Sequence, residues 1–177
     1  ACVFSMTMMS GTIGVLLAAL QGAFNDRPLF RLWLGFLSVV GLVAAHATNN
    51  LINDWTDVRK GVDTEDYPRS QYSTHPILGG LTTPSRLLLV ALGLTALDGV
   101  IMLYLAWVSG PLVIAFAVAG LLLSLGYTIF LKRYALGEIT ALIVWGPLMT
   151  GGTVYAMSGE ITRDTLLLTL PYGLIVA

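Results

Sequence analysis

Leu42-Val43-Ala44-Ala45-His46-Ala47-Thr48-Asn49-Asn50-Leu51-Ile52-Asn53-Asp54-Trp55-Thr56-Asp57-Val58-Arg59-Lys60-Gly61-Val62-Asp63 passes from apolar to polar sequence within a few turns. Leu42 to Ala45 close an apolar stretch that starts near Leu29 and is long enough to cross a bilayer, for which about 20 residues suffice. Asn50, Asn53, Asp54 and Asp57 follow at i, i+3, i+4 and i+7, a spacing that places them on one helical face. This polar face therefore starts at or inside the membrane boundary. Polar groups at that depth are costly unless they line a cavity or find partners.

Further apolar stretches flank this one on both sides. One runs from Val3 to Phe24 and ends at the turn Asn25-Asp26-Arg27-Pro28. A polar loop from Val58 to Pro84 follows the quoted stretch. Beyond it lie apolar stretches from Ser85 to Val108, Leu112 to Leu131 and Leu136 to Met157, the last with a kink expected at Gly146-Pro147. Ser158 to Asp164 form a loop, and a sixth helix starts near Thr165. The stretches are apolar on every face, which excludes the alternating pattern of a membrane barrel strand. The expected fold is an all-α, polytopic transmembrane helix bundle, forming one domain over residues 1–177. Both ends fall within apolar sequence, so the chain reads as a piece of a longer one, truncated at both ends.

Composition agrees. Of the 177 residues 56% are hydrophobic and 11% charged, against about 25% charged in soluble domains. Such a chain cannot cover a water-facing surface, so its partner is the lipid bilayer. Its net charge of −1 gives no ground for a nucleic-acid partner. A single cysteine, Cys2, excludes an internal disulfide and a cysteine metal cluster. Arg59, Lys60, Arg69, Arg86, Lys132 and Arg133 lie on one side of the expected bundle, and Arg27, Arg31 and Arg163 on the other. The side richer in Lys and Arg, which carries the Asp-rich loop, is expected to be cytoplasmic.

Asp54 and Asp57, one helical turn apart and flanked by the Asn side chains, suit a hard divalent cation. Mg²⁺ takes oxygen ligands and commonly bridges carboxylates to substrate phosphates. Arg59, Lys60 and Arg69 suit diphosphate oxygens. Acidic and basic groups beside an apolar bundle point to a substrate with an anionic head and a lipid tail. A lone Asp-x-x-Asp is more often a solvated helix end; the Asn-x-x-Asn-Asp-x-x-Asp frame, its depth and the basic loop favour a site. Asp63 reads as a third metal or water-mediated ligand, or as a loop cap. His75 reads as a substrate contact or an ordinary loop residue. His46 reads as a pocket residue or a helix-packing one. Asp98, in the third helix, reads as a polar contact between helices. Glu138 is a candidate for facing the site. Gly93, Gly99, Gly120, Gly126, Gly151 and Gly152 are expected to allow close helix packing.

Asn53-Asp54-x-x-Asp57 resembles the first Asp-rich signature of the UbiA superfamily of intramembrane aromatic prenyltransferases. Gly61-Val62-Asp63-Thr64 and Leu78-Gly79-Gly80-Leu81-Thr82-Thr83-Pro84 resemble the branch that prenylates 1,4-dihydroxy-2-naphthoate in menaquinone biosynthesis. Tyr127, followed by Lys132-Arg133 and Leu136-Gly137-Glu138, resembles the end of that family's fourth helix, without its usual Pro. Gly146-Pro147-Leu148-Met149 resembles its fifth. The resemblance implies nine helices, about six of them here, and a second Asp-rich motif after the sixth that this sequence does not contain. A chain with one of the two motifs is expected to be inactive alone.

The resemblance further implies a Mg²⁺-dependent enzyme of the bacterial or archaeal cell membrane that joins a polyprenyl diphosphate to an aromatic small molecule. Asp54 and Asp57 would hold the metal, with Asp63 as a third ligand. Tyr127 and Lys132 would act in catalysis. Asn50, Asn53, Arg59, Lys60, Asp63, Arg69 and Arg133 would bind substrate. Other acceptors, such as further quinone precursors, tocopherol-type rings, haem or chlorophyllide, remain open. A membrane transporter is the alternative from another class; it accounts for the helices but not for the Asp-rich helix end.

Overall fold

A computed structural model describes residues 2–64, 75–129 and 136–177; the side chains of 2–5, 125 and 127–129 are outside that description. Six helices follow one another: α1 (Cys2–Leu20), α2 (Pro28–Arg59), α3 (Pro84–Ser109), α4 (Leu112–Ile129), α5 (Gly137–Ser158) and α6 (Arg163–Val176). The described residues contain no strand. Among them α2, α3 and α5 are long and apolar enough to cross a membrane, while Met6–Leu20 and Leu112–Ser124 are shorter apolar helices. Large side chains such as Leu29, Leu89, Trp107 and Ile175 point outward, as suits a bundle whose solvent is hydrocarbon.

α2 sets the position of the site. Pro28 at its first turn lacks an N–H that would have no helical partner there anyway, so the helix starts cleanly. Its 32 residues span about 48 Å at 1.5 Å per residue, well beyond a hydrocarbon core of about 30 Å. Trp33 and Trp55 lie 22 residues apart on this helix, about 33 Å. Tryptophan favours the two membrane–water interfaces. The Trp pair is thus spaced by about one hydrocarbon thickness along α2, and Asp54 adjoins the second of the two. The Asp-bearing residues are the last turns of the membrane helix itself and not a loop after it.

The bundle closes through small residues. Gly11 of α1 meets Val39 of α2, and Gly14 meets Thr153 of α5; a Cβ on Gly14 would sit 2.6 Å from the Thr153 Cβ. Gly35 of α2 accommodates Met157. Gly146 of α5 and Gly173 of α6 pass backbone against backbone, with a Cβ on Gly173 only 2.5 Å from the Leu142 carbonyl oxygen. The expectation for the other glycines is partly corrected. Gly151 and Gly152 do pack, against Ile161, Leu166 and Phe116, but Cβ atoms on Gly93, Gly99 and Gly120 would meet nothing within 4 Å. Sequence alone does not say which face of an all-apolar helix turns inward.

The kink expected at Gly146-Pro147 is a π-helical turn, Val144–Thr150. Proline has no N–H for the regular ladder, and the wider turn absorbs the mismatch. The Trp145 carbonyl there accepts hydroxyl hydrogen bonds from Ser10 and Thr150. Side chain to backbone bonds tie other helix ends: Arg31 donates to the Met157 carbonyl (2.6 Å), Ser109 to that of Ala156 (2.5 Å), and Tyr172 to that of Met6 (2.6 Å). α1 ends at Leu20, four residues short of the expected Phe24, because Gln21 to Asp26 form turns.

Candidate metal centre

α2 stops in a Schellman motif. Gly61 takes a left-handed φ of +67°, its N–H donates to the Val58 carbonyl (3.2 Å), and the Val62 N–H donates to the Asp57 carbonyl (2.9 Å). The Asp63 N–H also donates to the Asp57 carbonyl (3.3 Å). This reversal folds Asp63 back along the helix end. Asp63 is 7% exposed and Asp54 8% exposed.

A second turn supplies the third member. After His75, the Gly79 N–H donates to the His75 carbonyl, Gly80 to that of Ile77, and Thr82 to that of Pro76. Thr83 then caps α3, its hydroxyl accepting from the Arg86 N–H, with Pro84 at the first helical position. The stretch Leu78–Pro84 is thus the rigid lead-in to α3, and it presents His75, 8% exposed, to the two carboxylates. His75 Nε2 lies 3.4 Å from Asp63 Oδ2. Ligand-capable atoms of Asp54, Asp63 and His75 all lie within 4.8 Å of one another, the only such group of three among the described residues.

The residues present fit a hard divalent cation. Metal–oxygen distances of 2.0–2.1 Å put two ligand oxygens of an octahedral Mg²⁺ about 3 Å apart when adjacent and about 4.2 Å when opposite. The ligand-capable atoms of Asp54 and Asp63 lie within 4.8 Å of each other, somewhat wider than that span.

The expected site residues divide. Asp54 and Asp63 come together. The Asp57 side chain is half-buried and outside this group of three, while its backbone carbonyl anchors the turn. Asn50 and Asn53 are half-buried on the same stretch of α2. The Arg59 guanidinium stacks over the Trp55 ring, 4.6 Å from its centroid, and Lys60 is exposed at the helix C-cap. Arg69, Lys132 and Arg133 lie outside the described residues; Tyr127 lies within α4, but its side chain does too. Glu138 is exposed in the first turn of α5. His46 packs its ring against Trp145 of α5, 5.6 Å between centroids. Asp98 faces α2 at Gly41, where a Cβ would stand 3.0 Å from its Oδ1. A cleft of about 610 Å³ lies at the opposite end of the bundle, lined by Gln21, Asn25, Arg31, Glu160 and Asp164, away from the carboxylates.

Sequence reasoning left His75 undecided. The signal for it was the His-Pro pair just ahead of a glycine-containing turn and a capped helix, a context that fixes a side chain firmly.

The described residues thus form an all-helical bundle with three helices long and apolar enough to cross a membrane, carrying a buried carboxylate–histidine group at the end of α2. Residues 7–177 match the model of the UbiA prenyltransferase family, and the chain belongs to that family. No curated protein and no solved structure matches the chain. Membership makes it an integral membrane prenyltransferase, of a family that generally depends on a divalent metal.

Proposed function

We propose that the protein transfers a polyprenyl group from a polyprenyl diphosphate to 1,4-dihydroxy-2-naphthoate, the acceptor of menaquinone biosynthesis, in a Mg²⁺-dependent reaction. The observation that carries the metal-dependent part is the buried Asp54–Asp63–His75 group at the interfacial end of α2. The acceptor rests on the resemblance of Gly61–Thr64 and Leu78–Pro84 to the naphthoate branch.

Asp54 and Asp63, with Asp57 beside them, hold the cation. A Mg²⁺ held there would supply positive charge against the leaving diphosphate, which favours ionisation of the allylic C–O bond. Lys60, Arg69, Lys132 and Arg133 are the candidate cations for the diphosphate oxygens, and the Asn50 and Asn53 amides its candidate hydrogen-bond donors. Tyr127 offers a π-face to the allylic cation. The Trp55 ring has the Arg59 guanidinium over one face. The C–O bond breaks with its electron pair leaving on the diphosphate, and the electron-rich ring carbon forms the new C–C bond. In the naphthoate reaction the carboxylate at that carbon departs as CO₂. The prenyl tail extends between the apolar helices toward lipid. The Asp-rich end faces the cytoplasm.

The test is the full-length gene product in liposomes, given Mg²⁺, a labelled polyprenyl diphosphate and a panel of aromatic acceptors. The expected result is a decarboxylated prenyl-naphthoquinol by mass spectrometry. Product with a different acceptor overturns the branch, and no Mg²⁺-dependent product overturns the reaction.

A further inference from the structure

His75 looks at first like the nitrogen ligand of a mixed carboxylate–histidine metal site. Its other ring nitrogen argues otherwise. Nδ1 accepts two backbone hydrogen bonds, from the Ile77 and Leu78 N–H groups, both at 3.2 Å. A nitrogen accepting from two donors carries no proton, so the ring proton sits on Nε2. A metal-ligating histidine needs the reverse: a bare nitrogen toward the metal and an N–H turned to an acceptor behind it. For Nε2 to ligate here the ring would have to lose its last proton. Nε2 is buried, lies 3.4 Å from Asp63 Oδ2, and meets no hydrogen-bond partner of good geometry. It is a buried, unpaired donor with one Asp63 carboxylate oxygen close by.

We propose that His75 is a positioning residue: a fixed Nε2–H donor that holds the Asp63 carboxylate toward Asp54, leaving the cation to oxygen ligands alone. This rests on the metal-dependent reading of the site but adds a role that the acidic residues do not supply. The Schellman turn brings Asp63 back to the helix end; the His75 N–H, seated by its own turn, then selects the carboxylate's orientation. The consequence is metal choice. An all-oxygen set suits Mg²⁺ or Mn²⁺, whereas a ligating imidazole would raise affinity for Zn²⁺ and other nitrogen-preferring metals.

In the ¹⁵N-imidazole spectrum of the full-length protein, the His75 ring is assigned as the one whose resonances disappear in His75→Gln. The expected spectrum shows a protonated Nε2 and a bare Nδ1, with the same tautomer before and after Mg²⁺ saturation. A protonated Nδ1, or loss of the Nε2 proton on adding Mg²⁺ or Zn²⁺, overturns the proposal. Titration adds a second readout. His75→Ala is expected to weaken Mg²⁺ binding by about 10- to 100-fold, the usual scale for losing a group that orients a ligand. His75→Gln, which restores an N–H near the Nε2 position, recovers most of that. If Gln recovers nothing, a donor role is wrong. A wild-type protein that binds no Mg²⁺ refutes the functional reading instead, and the tautomer measured in the same sample still decides between donor and ligand.

Discussion

Gly61→Ala tests whether the turn after α2 builds the metal centre. Gly61 has φ +67°, and a Cβ there would meet nothing within 4 Å. The substitution therefore adds no clash, only the backbone strain of a left-handed L-residue, about 1–2 kcal/mol. If that strain is relieved by opening the turn, Asp63 swings away from Asp54 and the binding-competent fraction falls. An apparent dissociation constant rises as that fraction falls, by up to about 5- to 30-fold for this strain, since 1.4 kcal/mol is a factor of ten. Gly159, the C-cap of α5, is the control. It has φ +78°, and its nearest atom would be the Ser109 carbonyl oxygen at 3.8 Å, so Gly159→Ala carries the same strain at the other end of the bundle. Both variants should lose similar thermal stability in detergent, and only Gly61→Ala should weaken Mg²⁺ binding measured by calorimetry. Gly61→Asn should recover part of the loss, because asparagine tolerates this conformation. Equal Mg²⁺ affinity in Gly61→Ala and Gly159→Ala would refute the argument.

Asp54→Asn and Asp63→Asn should each abolish Mg²⁺-dependent prenyl transfer by the full-length enzyme, and retained turnover in either removes that residue from the metal set. Chelation with EDTA should stop turnover and excess Mg²⁺ should restore it; activity that survives chelation contradicts the metal-dependent reading. Gly173→Ala forces a Cβ to 2.5 Å from the Leu142 carbonyl oxygen and should cost about 1–3 kcal/mol, whereas Gly93→Ala, with open space around it, should be neutral or stabilise by up to about 1 kcal/mol; thermal melts in one detergent compare them. Thr162 accepts from the Thr165 N–H at the start of α6 (3.2 Å), so Thr162→Ala should cost about 1 kcal/mol, read in the same melts.

The membrane-spanning character, the number of helices in this stretch and the acidic end of α2 were all legible in the sequence, because hydrocarbon solvation and helical spacing are properties of local runs. The Asn50, Asn53, Asp54, Asp57 face needed no neighbours to be read, and Pro28, Pro84 and Gly146-Pro147 marked starts and a break by their own backbone chemistry. Which glycines pack was not legible: Gly93 and Gly173 both sit in apolar helices, and only the bundle shows that one faces open space and the other a neighbouring backbone. The composition of the buried group was equally a tertiary matter. Helical spacing pairs Asp54 with Asp57, yet Asp63 reaches Asp54 through a left-handed residue at Gly61, and His75 reaches both from the other end of the loop. Chain reversals join residues that spacing keeps apart. The proton on His75 is likewise set by two amides of the following turn, a geometry that exists only once that turn has folded.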